Sequence, residues 1–360
     1  VLASGILGDE AGRSRLSTIS STYAGLPCDE TPYIREVLRA TGFHGHLFNA
    51  LEGAPDVERL LADLAHRGSP HGDVALIRTE SEGRILARAG SRVLLSGVGG
   101  DEVATPPDYV FDLAERGSWM EVVRECREVS RAWKSSSFLG EIARALRWAA
   151  PETLKRAARR ARGSTRRRPP TWLEPEFAER YGASPSSGPR SRVGDSVAWG
   201  EVARWFQAPR LVEGLEQAER TRALQGVEVR YPFLDRELVE LVLGIPFELR
   251  RAVWPPYPFK AALRTALRDD LPALVRERGG KVVFDDYFMR VTESWRQLLL
   301  PVLGAAEGWA TRAFVRPEVV NRLLREPLSL AGGTWSERGR PVWALATAEL
   351  WYRQARQRRI

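Results

Sequence analysis

Residues 91–106 read Ser-Arg-Val-Leu-Leu-Ser-Gly-Val-Gly-Gly-Asp-Glu-Val-Ala-Thr-Pro, and no other stretch narrows the fold of this chain as far. The apolar run Val93-Leu94-Leu95 is short and suits a buried strand. It ends in three glycines and two carboxylates. Glycine lets the backbone approach a ligand and take positive φ. Successive N–H groups in such a turn can face an anion. A carboxylate beside bound phosphates can hold Mg2+ through oxygen. In open α/β sheets, ligands bind at the carboxyl ends of parallel strands. The stretch is therefore a candidate phosphate and metal site, although a plain tight turn explains it as well. It is neither a Walker A loop nor a Gly-x-Gly-x-x-Gly fingerprint.

The sequence around it has the rhythm of an α/β protein. Residues 16–20 read as a strand. Thr31-Pro32 opens a helix with Ile34, Val37 and Leu38 on one face. Val57, Leu60, Leu61 and Leu64 predict a second helix over 56–66, and a strand follows at 92–95. Strand, helix and strand in succession imply a parallel sheet. Beyond Pro106-Pro107 the pattern is helical to residue 160. Segment 160–195, rich in Ser, Pro, Gly and Arg, reads as a mobile insertion. From 197 onward the chain is again mostly helical. Ser4–Glu10 looks like Ser96–Glu102, but only residues 11–15 separate it from the next strand. A parallel crossover needs a dozen or more, so 1–12 is read as the end of a helix.

Composition enters where it excludes. The 360 residues are 43% hydrophobic and 28% charged, enough for a sizeable core. No run is long and apolar enough to span a membrane, and no signal peptide is evident. Two cysteines, Cys28 and Cys126, suit a reducing compartment. The expectation is a soluble, cytoplasmic protein. A net charge of +8 favours anionic partners without choosing among them. Segment 154–170 carries eight Lys or Arg but lacks the interleaved aromatics that stack bases, so nucleic acid is set aside. His44, His46, His66 and His71 lack zinc spacing and read as structural or exposed. Most of the 12 tryptophans read as core.

Two further stretches hold candidate chemistry. In Gly226-Val-Glu-Val-Arg-Tyr-Pro-Phe-Leu, Glu228 and Arg230 sit among apolar residues, and a structural ion pair is the simplest reading. Asp235 is a candidate N-cap, followed by the stripe Leu238, Leu241, Val242 and Ile245, read as core packing. In 257–284, Lys260 starts an amphipathic helix. Lys281 follows Gly279-Gly280, where a hinged lysine can reach a phosphate or a developing negative charge.

Taken together, Ser-Gly-Val-Gly-Gly-Asp-Glu, then Gly226–Pro246, then Lys281 in Arg-Glu-Arg-Gly-Gly-Lys-Val-Val-Phe, resemble the ordered motifs of the asparagine synthetase family's synthetase domain. Asp29-Glu30-Thr31-Pro32-Tyr33 is similar to its acidic segment, and residues 340–354 to its closing helix. The resemblance runs from about residue 10 to 355, weakest over 108–200. It implies an α/β fold: a parallel sheet of the adenine nucleotide alpha hydrolase (ATP pyrophosphatase) type with a large helical C-terminal part. Its parts are a nucleotide-binding core at 1–107, a helical region with the basic insertion at 108–200, and a helical part completing the site at 201–360. The implied activity is ATP-dependent amide formation through an acyl-adenylate, with ATP and Mg2+ as cofactors. By carry-over, Ser96, Gly97, Gly99 and Gly100 line the phosphate site and Asp101 binds Mg2+. Lys281 stabilises charge, Lys260 assists pyrophosphate, and Ile19, at the end of its strand, lies near adenine. The partners are a carboxylate and an amine donor, with a precursor peptide and a separate N-terminal or leader-binding protein as further candidates, and no membrane.

Two departures from the family pattern shape the expectation. The pyrophosphate loop Ser-Gly-Gly-Leu-Asp-Ser-Ser has no counterpart in this sequence, which opens at Val1. The chain reads as an N-terminally truncated member that binds ATP weakly by itself. Val98 replaces the family's candidate proton acceptor, a glutamate, and valine takes no proton. The product is therefore expected to be a natural-product amide or a lasso-peptide macrolactam, with Glu228 as a substitute base. The rival readings are the synthetase part of a glutamine-hydrolysing asparagine synthase, and a catalytically dead remnant or peptide-binding subunit.

Overall fold

The computed structural model describes Ala3, Ile6 and residues 16–70, 72–105, 109–132, 137–161, 170–181, 193–194, 196–246, 260–278 and 282–357. In chain order its N-terminal elements are β1 (Ser17–Thr22), α1 (Thr31–Thr41), β2 (His44–Asn49), α2 (Val57–Arg67), α3 (Leu76–Arg88), β3 (Val93–Leu95) and α4 (Gly100–Ala104). Then come α5 (Val110–Glu115), α6 (Trp119–Ala132), α7 (Phe138–Ala149), α8 (Glu152–Ala161), α9 (Pro175–Tyr181), α10 (Val197–Phe206) and α11 (Pro209–Ala223). The last elements are β4 (Glu228–Arg230), α12 (Arg236–Gly244), α13 (Ala261–Ala266), α14 (Ala273–Arg276), α15 (Asp285–Leu303), α16 (Pro317–Arg325) and α17 (Gly339–Gln357).

The described strands form two parallel pairs. β1 lies beside β2 with Ser17 opposite His44, and β3 beside β4 with Val93 opposite Glu228. The parallel α/β expectation holds at this level. β1 continues to Thr22, so Ile19 is mid-strand rather than at its end. The sequence reading lacked β2 altogether. Its residues, His-Gly-His-Leu-Phe-Asn, include strand-disfavouring Gly45 and Asn49 and no β-branched side chain. Gly45 is there because a Cβ would lie 2.4 Å from Leu38 Cδ1 of α1.

Local signals set the helix ends. Asp56 accepts hydrogen bonds from the Glu58 and Arg59 amides and caps α2. Pro32 sits in the first turn of α1, and left-handed Gly42 closes that helix. Asp235 caps α12 as expected. The stripe behind it is a correction: no residue of α12 is buried and Leu241 is 67% exposed.

One core joins the two ends of the chain. Leu60 and Leu64 from α2 pack with Trp295 and Leu299 from α15 and with Trp343 and Leu350 from α17. Each buried leucine contributes about 1.5–3 kcal/mol relative to exposure. The indoles add direction: Trp295 donates to the Val74 carbonyl (3.2 Å) and Trp343 to that of Gly72 (2.8 Å). Glu349, fully buried on α17, accepts from the amides of Ala310 (2.9 Å) and Thr311 (3.0 Å), the Thr311 hydroxyl (2.6 Å) and Arg353 (2.6 Å). The tryptophan expectation is borne out at these positions.

A second cluster gathers Val110, Phe111, Val122, Cys126 and Val197. Its polar pin is buried Asp112, which accepts from the Ser196 hydroxyl and the Val197 amide, both at 2.8 Å. Both cysteines are buried and neither is in a disulfide.

Part of segment 160–195 is docked, against the expectation of a mobile insertion. Leu173 bridges Val315, the Glu174 amide donates to the Phe314 carbonyl (3.0 Å), and Phe177 packs on Phe314. Residues 162–169 of the basic run and all of 1–12 but Ala3 and Ile6 lie outside the described residues; Lys155, within α8, stacks over Trp148. Among the described residues no helix is long and apolar enough to cross a membrane.

Candidate active site

β3 and β4 deliver their following loops to the same edge. The Ser96 amide donates to the Arg230 carbonyl (2.8 Å) and carries the parallel ladder one residue beyond β3. The chain then turns through Gly97–Gly99 into α4, while β4 turns through Pro232–Leu234 into α12. The two turns touch. Gly99 has φ 89°, and a Cβ there would lie 2.5 Å from Leu234 Cδ2. A Cβ on Gly100 would lie 3.3 Å from the Phe233 ring. Backbone conformation and close packing on the Pro-Phe-Leu turn thus account for these two glycines. Gly97 differs, since a Cβ there would meet nothing within 4 Å. Open space lies beside Gly97, next to Ser96, whose hydroxyl accepts from the Val98 amide at 3.4 Å.

Asp101 and Lys260 come together at this edge. Lys260 Nζ lies 2.9 Å from an Asp101 carboxylate oxygen. Lys260 caps α13 with φ 53° and ψ 36°, a left-handed conformation that a lysine rarely adopts. Such backbone costs of order 1–3 kcal/mol and clusters at functional sites. The side chains are 40% and 46% exposed, so the ion pair itself contributes at most about 1 kcal/mol. The pair does not explain the strain by its own energy. What it provides is a cation and a carboxylate at the carboxyl end of a parallel strand.

The donors fit a metal only in a limited way. Among the described residues no group of three His, Cys, Asp or Glu could hold an ion. Mg2+ is commonly held by one or two carboxylates plus substrate phosphates. Asp101 therefore suits a cation that arrives with a nucleotide, and such a cation competes with Lys260 for the carboxylate. Lys281 lies outside the described residues. Ile19, opposite His46, is half-buried in β1. His44 and His46 pack edge to face, with ring centroids 4.5 Å apart.

Glu228 is placed differently from the sequence reading. It pairs with Arg230 at 2.8 Å, but both side chains are more than half exposed, so the pair is not buried among apolar neighbours. Glu228 stands opposite Val93, at the start of the ladder and away from the loop edge. The Arg230 hydrogen bond and charge hold its carboxyl below the usual range, which weakens it as a base.

Other residues carry geometry that the sequence reading missed. Arg278 lies 2.5 Å from Glu30 and its guanidinium stacks 4.2 Å from the Tyr33 ring centre. The stretch leading to Lys281 is thereby tied to the acidic segment after β1. Asp29, next to Glu30, accepts from the Tyr23 amide and the Thr31 hydroxyl, and these hydrogen bonds lower its pKa. Glu82 of α3 pairs with Arg222 of α11 and accepts from Ser21 of β1 at 3.4 Å. Arg276 and Arg278 look alike in sequence, and no local pattern tells which one reaches Glu30.

The family model described as asparagine synthase matches residues 4–353. No curated protein matches the chain.

Proposed function

Because this chain belongs to the asparagine synthase family, a family of ATP-dependent ligases, we propose that it joins a carboxylate to an amine through an acyl-adenylate. A carboxylate oxygen attacks the α-phosphorus of ATP and pyrophosphate leaves. The amine nitrogen then attacks the acyl carbon, the C–N bond forms, the C–O bond to AMP breaks, and nitrogen loses a proton. The sheet in this reading is of the ATP pyrophosphatase type, with residues 1–107 holding the nucleotide and 201–360 completing the site.

The observation that carries the reading is the meeting of Asp101 and Lys260 beside the open backbone at Gly97. Asp101 would hold Mg2+ accompanying ATP, and that ion neutralises charge on phosphate oxygens when bound. Lys260, released from Asp101, turns its ammonium to the leaving pyrophosphate. Lys281, outside the described residues, would serve the same charge. The Ser96 hydroxyl and the Gly97 backbone face the phosphates.

The product favoured is an amide other than asparagine, either a natural product or a peptide macrolactam. Val98 supports this, because an aliphatic side chain, 43% exposed on the loop, neither takes a proton nor attracts a charged amino acid. ATP–pyrophosphate exchange by the purified protein, with a panel of small carboxylates and acidic peptides, tests the reading. Exchange should appear with a subset of the panel. Asp101→Asn and Lys260→Ala should each lower it about 100-fold. Exchange that both variants sustain at the wild-type rate refutes the assignment.

A further inference from the structure

Asp101 and Glu102 are neighbours on α4, and successive helical residues project about 100° apart. Asp101 turns to Lys260. Glu102 turns to a different space, a cavity of about 630 Å³ that Ser96 and Val98 also line. Leu94 and Val229, register partners in the sheet, form one wall. Trp205 of α10 and Leu215 of α11 form another. Two more charged residues line the cavity, Glu82 and Arg222, and they neutralise each other. Glu102 is exposed, and among the described residues no side chain pairs with its carboxylate.

An apolar cavity with one unneutralised carboxylate selects a particular chemistry. An apolar body gains by leaving water. An ammonium on that body gains a charge-assisted hydrogen bond to the carboxylate. A carboxylate ligand would meet Glu102 with like charge. We infer that this cavity receives the amine donor as a protonated primary amine on an apolar body, and that Glu102 is the proton acceptor. The inference rests on the ligase reading for its second half only. The ammonium first gives one proton to the Glu102 carboxylate, which passes it to solvent; the freed amine then attacks the acyl carbon, the C–N bond forms, AMP departs with the C–O electron pair, and the nitrogen's second proton passes to Glu102. Glu228, held by Arg230 at the other end of the ladder, is relieved of that role. Val98 then belongs to the apolar wall that accommodates the donor.

The test uses n-hexylamine, hexanoate and the tripeptide Leu-Gly-Gly-amide as probes, with binding read by calorimetry on the intact chain. Hexylamine should bind at least about tenfold more tightly than hexanoate, and Glu102→Gln should weaken it about tenfold without weakening hexanoate. Ala218→Trp, which fills the cavity from α11, should abolish binding of all three while circular dichroism confirms the fold. Tighter binding of the tripeptide assigns the donor to a peptide amino terminus; tighter binding of hexylamine assigns it to a free amine. Equal affinity of wild type and Glu102→Gln for hexylamine overturns the inference, as does hexanoate binding as tightly as hexylamine. ATP–pyrophosphate exchange needs no amine and reports activation separately. Exchange absent from the wild type with amine binding intact overturns the ligase reading and leaves the amine pocket standing. Amide formation by Glu102→Gln at the wild-type rate overturns the proton-transfer role.

Discussion

Substituting Gly99 by alanine probes the contact on which the site edge is built. Two costs arise from one methyl group. At φ 89° an L-residue is disfavoured by about 1–2 kcal/mol. The new Cβ would also stand 2.5 Å from Leu234 Cδ2 and 3.1 Å from its Cγ. Leu234 is half-buried, and this overpacking costs about 1–3 kcal/mol. Gly99→Ala should therefore destabilise by about 2–5 kcal/mol in urea denaturation followed by circular dichroism. Leu234→Ala removes the steric partner and leaves the backbone cost. The double variant should be about 1–3 kcal/mol more stable than the sum of the singles requires. The same displacement moves α4, so exchange activity should fall in Gly99→Ala and recover in part in the double variant. A coupling within about 0.5 kcal/mol of zero refutes the contact. A single-variant cost below about 1 kcal/mol refutes the left-handed backbone at Gly99.

Two further expectations concern the frame around the site. Burial alone would raise the Glu349 carboxyl, but hydrogen bonds from Thr311, Ala310 and Arg353 outweigh it and hold the group below its usual 4.5. A carboxyl depressed in the folded state adds stability that is complete above the unfolded value and is lost as pH falls through the folded one. Thermal midpoints measured from neutral pH downward should show that loss below about pH 4.5, and Glu349→Gln should flatten the acid limb while costing about 1.5–3 kcal/mol at neutral pH; an acid limb of unchanged slope refutes the assignment. Arg278→Ala removes both the Glu30 ion pair and the Tyr33 stacking, together worth about 1–2 kcal/mol. Amide exchange in α14 should then quicken about 5–30-fold, and unchanged exchange would show that the clamp does not hold that segment.

Legibility followed the range of the forces involved. Asp235 was readable as a cap because a carboxylate and the amides two and three residues on are fixed by local geometry. β3 was readable as a strand because an apolar run ending in glycines needs no distant partner to be recognised, but its expected burial is corrected: Val93 and Leu95 are exposed. β2 was not, since His44, Gly45 and Asn49 become a strand through pairing with β1 and through Leu38 pressing on Gly45. The α12 stripe misled for a related reason. Helical period shows which residues share a face, while burial depends on whether another element covers that face, and Leu241 is exposed. The Glu228–Arg230 pair was legible as a pair, two residues apart on one strand, but its exposure was not.

By itself the sequence determined the motif order, the parallel α/β character and the choice of Asp101 as a candidate, because these rest on residue type, spacing and local backbone preference; Lys260 was a candidate through the family resemblance. Only the tertiary structure decided that Lys260 reaches Asp101, that Arg278 clamps Glu30, and that Glu102 faces an apolar cavity. Those facts depend on where distant segments of the chain are carried and which side of each element they cover. Chain path and side-chain direction set such distances, and neither is encoded within the few residues over which capping, turning and periodicity act.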